Sequence, residues 1–260
     1  MSSAKSAQES PVVGVVVTHN SEKYLPDLLA SIENQTRKLD QLIVVDDNST
    51  DSTSEILASN GITLVVATTG ARDTVTRIAR NFLQGAQLAP RDSIIIVGDH
   101  DDTWFPNRVE HQSKLMNKNP TIAMLASDGT TGTNQTLRST FPVPNNWNTL
   151  SKKQQLTYVV RHSIATGGAS AIRPRLLPAT IPAGWLHDRW WSLAATNKTS
   201  MFIDPTCVIE YRISAGQQVG LDQGGQQDST FDWAKRHVGN AGTSLKRSAD
   251  LALLLTGRLK

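Results

Sequence analysis

The feature that most constrains the fold is an alternation repeated four times in the first hundred residues. Short apolar runs rich in β-branched residues, at 12–17, 42–45, 63–67 and 94–97, are separated by segments of helical period. Tyr24, Leu25, Leu28, Leu29 and Ile32 recur at helix spacing, as do Val75, Ile78, Ala79, Phe82 and Leu83. Ser52 with Glu55 three residues later is a capping-box signature for a helix between the second and third runs. The runs lack polar alternation, as strands do when helices cover both faces of their sheet. The pattern predicts βαβ units, hence an α/β fold with a mainly parallel sheet flanked by helices. Polar clusters follow the first, second and fourth runs, and the carboxyl ends of strands are where open α/β sheets bind ligands.

The second half is less regular. Strands are expected at 122–126, 169–172 and 207–211, helices at 152–161 and 186–195, and a long loop at 129–148, rich in Thr, Asn and Pro. Residues 1–10 read as a disordered leader, 11–213 as one domain, and 214–260 as a mobile linker (to about 229) with a helical tail broken near 239–242. The single cysteine, Cys207, permits no intramolecular disulfide and suits a reducing, cytoplasmic compartment. The longest apolar run of the tail, 251–255, is far below the ~18 residues of a membrane span. The net charge of +3 is uneven: residues 231–260 hold six Lys/Arg against Asp232 and Asp250, a balance of +4, which leaves −1 for the body. Nucleic-acid binding is a poor fit, because the basic excess is confined to the tail.

Two clusters carry chemistry. Asp99-His100-Asp101-Asp102-Thr103-Trp104 crowds three carboxylates at a strand end, an arrangement that a hard cation with a bound diphosphate would neutralise. A solvated acidic turn leading into the next helix is the plainer alternative. Asp46-Asp47-Asn48-Ser49-Thr50-Asp51 is the second. Its carboxylates suit a base N–H or a ribose hydroxyl, and equally a polar turn at a helix N-terminus.

Taken in order, Val15-Val16-Val17-Thr18-His19-Asn20, Leu28-Leu29-Ala30-Ser31-Ile32, Gln35-Thr36, Val44-Val45-Asp46-Asp47-Asn48-Ser49, Arg80-Asn81 and Asp99-His100-Asp101-Asp102-Thr103-Trp104 form a series. The series resembles the family 2 glycosyltransferases of the GT-A fold, nearest to the bacterial rhamnosyl- and galactosyltransferase-like enzymes of cell-surface polysaccharide synthesis. The likeness is strong over 11–127 and weaker to about 213. It implies a nucleotide-sugar half (11–127), an acceptor half (128–213), and inverting transfer from a nucleotide-sugar, UDP- or dTDP-linked, to a glycan or lipid-linked acceptor. By resemblance, Thr18, Asn20, Asp47, Arg80, Asp99 and His100 attend the donor, and Asp99 and Asp101 hold Mn²⁺ or Mg²⁺ as the Asp-x-Asp motif. Asp188, within Gly184-Trp185-Leu186-His187-Asp188-Arg189-Trp190-Trp191, matches the catalytic base. Asp102, Trp104, Gly167, Gly168, His187, Trp190 and Trp191 are implied on the acceptor side, with Trp185, Trp190 and Trp191 as candidate faces for sugar rings and the glycines as openings to the backbone. Core packing is the alternative for the tryptophans.

One position departs from the pattern. Many relatives carry Tyr-Arg-x-His, whose His completes the metal site; here Tyr211-Arg212-Ile213-Ser214 puts a hydroxyl in its place, a poor metal ligand. The different-class alternative is a non-catalytic, sugar- or nucleotide-binding scaffold with the same fold. A nucleotidyltransferase or dinucleotide enzyme needs a Gly-rich loop after the first strand, and 18–21 has no glycine. The basic, leucine-rich tail is expected either to touch an anionic membrane at the inner face of the cell or to pack on the body or in a homo-oligomer.

Overall fold

A computed structural model describes residues 9–132, 135–213 and 241–256. Most of the expected leader, Ser214, the linker and the first piece of the tail lie outside the described residues. The elements run β1 (Val12–Thr18), α1 (Leu25–Glu33), β2 (Gln41–Asp46), α2 (Thr53–Ser59), β3 (Leu64–Val66), α3 (Thr74–Gln87), β4 (Ile94–Asp99), β5 (Thr103–Trp104) and α4 (Arg108–Lys118). They continue with β6 (Met124–Thr131), α5 (Leu137–Thr140), α6 (Lys152–Val159), β7 (Ser170–Ile172), α7 (His187–Asn197), β8 (Met201–Tyr211) and α8 (Ala241–Leu255).

The strands form one sheet in the order β3-β2-β1-β4-β7-β6-β8-β5. β1 pairs in parallel with β2 and β4, β2 with β3, and β6 with β8, while β7 runs antiparallel to both its neighbours and β5 antiparallel to β8. The sheet is mostly parallel, as expected. Side chains of β1 divide by parity. Val13, Val15 and Val17 join Phe82 and Leu83 of α3 and Trp190 and Leu193 of α7 on one face. Val12 and Val16 join Leu25 and Leu28 of α1, Leu57 of α2 and Val109 of α4 on the other. Both faces being covered is why the runs read as continuously apolar.

Three expectations are corrected. Ser52 does not cap α2 through its side chain; Asp51 instead accepts the Thr53 N–H at 3.1 Å and the Thr53 hydroxyl at 2.6 Å. The stretch 129–148 is not a plain loop. It contains the end of β6, the helix α5 and a 3-10 turn at Trp147–Thr149, whose Trp147 is buried in the core. β8 starts at Met201 rather than 207, because its first half pairs with 124–126 of β6. The two halves of that pairing are separated by an irregularity, and Pro205, which has no N–H for a ladder, sits in the interruption.

α3 is capped by Asp73, whose side chain accepts the Thr76 N–H at 2.9 Å. α4 is held at its start by a distant residue: Gln35 Oε1 accepts the Val109 N–H at 3.0 Å, and Gln35 Nε2 donates to the Phe105 carbonyl at 2.9 Å. These bonds tie the Gln35-Thr36 segment to the start of α4. Among the described residues, no helix is long and apolar enough to cross a membrane. α8 lies on the body, with Leu254 buried in the core cluster that contains α7.

Candidate active site

The carboxyl ends of β1, β2 and β4 sit side by side in register, Thr18 beside Asp46 and Val17 beside Asp99. Thr18 is fully buried, and its hydroxyl donates to Asp46 Oδ1 at 2.8 Å. Asp46 also accepts the Ser49 hydroxyl at 2.6 Å and the Ser49 N–H at 3.0 Å, which closes the turn after β2. The side chain exposed at the end of β1 is therefore Asn20, not Thr18. Asn20 has φ 48 and Asn48 has φ 56, left-handed conformations that asparagine tolerates. Asn20 Oδ1 accepts the Thr50 N–H at 2.8 Å, locking the two strand-end loops together. Asp47 is buried and paired with Arg77 Nε at 2.6 Å. That partner is one turn before the expected Arg80, whose own Nε is buried without a hydrogen-bond partner.

Past β4, Asp101 and Asp102 are both buried. Burial first, then the charges of Asp101 and Asp188, push Asp99 up to about 7, against the pull of Arg108 and the Gly168 N–H. Burial, then Asp99 and Asp101, hold Asp102 well above the carboxylate range. Burial pushes the His100 imidazole down. Asp102 Oδ1 accepts the Arg212 N–H at 3.2 Å, whereas its Oδ2 is buried without a partner. Beneath the cluster lies Arg108, fully buried. It donates to the Val97 carbonyl at 2.6 Å and to Gln112 Oε1 at 3.3 Å, and its guanidinium sits 4.1 Å from the Trp104 ring centre. Burial lowers it to about 9, so it remains cationic at neutral pH.

The acceptor-side segment meets this cluster. Asp188, in the first turn of α7, accepts the Gly167 N–H at 3.1 Å through Oδ2 and the Arg189 N–H at 2.6 Å through Oδ1. Burial raises it to about 6 despite those bonds. A Cβ on Gly168 would lie 2.6 Å from Oδ2 of both Asp99 and Asp102, and one on Gly167 would lie 2.4 Å from His187 Nε2. The missing side chains make room for the site's own groups. His187 is 4% exposed, stacks on Phe82 with centroids 3.9 Å apart, and has neither ring nitrogen hydrogen-bonded. Burial holds it neutral, down to about 3.

The tryptophans are not open ring faces. Trp190 and Trp191 are each 1% exposed in the core, and Trp104 is wedged between Arg108 and Gly98, where a Cβ would come within 2.7 Å of the indole. Large apolar area next to a close-packed sheet is more stable inside than on a rim. Sequence reasoning missed Arg77 and gave Arg108, part of the same motif series, no role. Arg77 lies 30 residues from Asp47 on another element, so no local spacing points to the pair. Arg108 is a lone basic residue after three acids, a signal legible as charge balance.

The site can hold a cation among hard carboxylate oxygens and present Asp188 as a base. Among the described residues, no group of three or more His, Cys, Asp or Glu is gathered as a cation site.

Comparison with known proteins follows the same lines. The model of glycosyl transferase family 2 matches residues 15–178. An uncharacterized glycosyltransferase of Rickettsia prowazekii is 29% identical over 112 residues, 42% of this chain and 33% of that protein. One of Methanocaldococcus jannaschii is 32% identical over 126 residues, 46% of this chain and 42% of that protein. The chain thus matches well under two thirds of the length of these relatives. Among solved structures, glucosyl-3-phosphoglycerate synthase of Mycobacterium tuberculosis, in complex with Mn²⁺, UDP-glucose and phosphoglyceric acid, superposes with a TM-score of 0.58 at 18% identity, covering 90% of this chain and 82% of that one. S. aureus TarS in complex with UDP does so with a TM-score of 0.57 at 17% identity, covering 78% and 61%. At these identities the likeness is one of fold, that of the GT-A glycosyltransferases.

Proposed function

Because the chain belongs to glycosyl transferase family 2, we propose that it moves a sugar, with inversion, from a nucleoside-diphosphate donor to a hydroxyl of a glycan or glycolipid acceptor of the cell surface. The observation that carries this reading is Asp188. Its carboxylate is anchored on the Gly167 N–H, raised to about 6, and close enough to Asp99 to raise that group in turn. A general base works best with a pKa near the operating pH.

In this reading 11–127 is the nucleotide-sugar half and 128–213 the acceptor half. Asn20 and Asp47, the latter oriented by Arg77, receive the base and ribose; Arg80 and His100 flank the diphosphate. A divalent cation fits Asp101 and Asp99, with Asp102 Oδ2 the unpartnered buried oxygen nearby, and when bound it neutralises the charge of the departing diphosphate. Asp188 takes the proton of the acceptor hydroxyl. The oxygen attacks the anomeric carbon from the face opposite the diphosphate, whose bond to that carbon breaks, and a single displacement inverts the centre. Arg108 keeps the acidic cluster compact, and neutral His187, buried against Phe82 and Gly167, supports the segment that carries Asp188. The crystallised UDP complexes of the fold neighbours support a uridine or similar pyrimidine nucleotide.

The test is a screen of UDP-, dTDP- and GDP-sugars with Mn²⁺ or Mg²⁺, followed by two variants. Asp188→Asn is expected to keep donor binding and lose roughly 100-fold or more in turnover. Asp101→Asn is expected to lose cation-dependent nucleotide binding. Near-normal transfer by Asp188→Asn would remove the base assignment. No turnover and no thermal shift with any nucleotide would favour the non-catalytic scaffold.

A further inference from the structure

The basic tail was the one sequence feature that the proposed reaction leaves unused, and its described helix makes specific contacts with the segment that carries Asp188. Trp185 Nε1–H donates to Asp250 Oδ2 of α8 at 3.2 Å. Arg247, one turn earlier on α8, donates to the Gly184 carbonyl at 2.6 Å, with its guanidinium 5.6 Å from the Trp185 ring centre. Thr76 of α3 in turn accepts the Gly184 N–H at 2.8 Å. Gly184 has φ +83, a left-handed turn, and two residues past Trp185 the chain enters α7 at His187. Trp185 also lies edge-on to Trp190, centroids 5.3 Å apart. At the far end of α7, Asn197 Nδ2 donates to the Leu254 carbonyl of α8 at 3.1 Å, beside the buried Leu254 side chain. α8 therefore runs along α7 and grips it before its first turn and at its last residue.

We propose that α8 is a splint for α7, and that Asp250 and Arg247 are positioning residues that set the orientation of Asp188 through Trp185 and Gly184. The inference rests on the proposed role of Asp188 as base. A carboxylate that must meet a hydroxyl within hydrogen-bond reach loses rate steeply when misplaced by a fraction of an ångström to an ångström. The backbone entering α7 is a glycine turn between two helices, and one clamp is released if α8 lets go. The donor side, built on β1, β2 and β4, makes none of these contacts with α8.

The experiment compares Asp250→Ala with Asp250→Asn in the full chain. The amide oxygen of Asn still accepts the Trp185 indole N–H, and the methyl of Ala cannot. Asp250→Ala is expected to lower kcat/KM for the acceptor about tenfold while the donor KM stays within about twofold, and Asp250→Asn is expected to restore most of the loss. Hydrogen exchange at the Gly184 amide is expected to quicken about tenfold in Asp250→Ala alone. Unchanged acceptor kinetics with unchanged Gly184 exchange would overturn the splint. So would a loss shared by donor KM and by both variants, which would mark α8 as general support. If the wild-type chain transfers no sugar at all, the proposed function fails, and Gly184 exchange alone decides whether α8 clamps the turn.

Discussion

A methyl group at Gly168 would meet Oδ2 of Asp99 and Oδ2 of Asp102, each 2.6 Å from the added carbon. Neither carboxylate can yield freely, since Asp102 is also held by the Arg212 N–H and Asp99 by Gly168 itself. Gly168→Ala is expected to cost about 1–3 kcal/mol of stability and to lose cation-dependent nucleotide binding, readable by denaturant unfolding and calorimetric titration. Asp188 gives a second outcome at this scale. Its pKa is raised to about 6, so the base is ionised above that pH and protonated below it. The rate at saturating substrate is expected to fall with unit slope below about pH 6, by roughly tenfold at pH 5 relative to pH 8. Asp99, Asp101 and Asp188 were singled out by their order along the chain, and the fold brings Asp101 and Asp188 close to Asp99. The burial of Thr18 and Trp104 was not legible there, because a side chain's direction depends on which face of the sheet its neighbours cover, whereas core packing of Trp190 and Trp191 was the plainer reading of large aromatics.

α3 shows how one element serves fold and site together. Asp73 caps it, its Val75–Phe82 stripe packs on β1 and β2, and Arg77 on its partly open side pairs with Asp47. Asp73→Ala is expected to lower stability by about 1 kcal/mol without changing kinetics, measured by chemical unfolding. Arg77→Met leaves a buried carboxylate without its cation and is expected to cost about 1.5–3 kcal/mol and to raise the donor KM several-fold with the acceptor KM unmoved. Element type and order were readable from period and caps. Element ends were less so. Ser52 and Glu55 match the capping-box spacing, yet Ser52 makes no side-chain cap bond, and Asp51, one residue earlier, accepts the Thr53 N–H and hydroxyl as a charged and stronger acceptor. The start of β8 was hidden by Pro205, which breaks the apolar run where the sheet itself is interrupted.

Across the whole molecule, the acids that the body concentrates at its strand ends make stability respond to pH. Asp99 binds its proton more tightly in the folded chain, at about 7 against an ordinary 3.8. Its contribution is full below about pH 4, falls as pH rises toward 7, and is level above that. In cation-free buffer, Asp99→Asn is expected to gain stability relative to wild type at pH 8 and to lose that advantage at pH 4, as urea midpoints would show. What the sequence determined by itself is the α/β sheet with its ligand face at the strand ends, since hydrophobic period and turn residues are local properties of the chain. It also determined the membership of the acidic cluster, since those residues are contiguous. The tertiary structure decided the partners: Arg77 for Asp47, Arg108 under the acids, Gly168 against two carboxylates, and α8 along α7. Each of those pairings joins residues on different elements, and which of several available side chains meet is set by how the layers pack, a quantity no local pattern in the chain encodes.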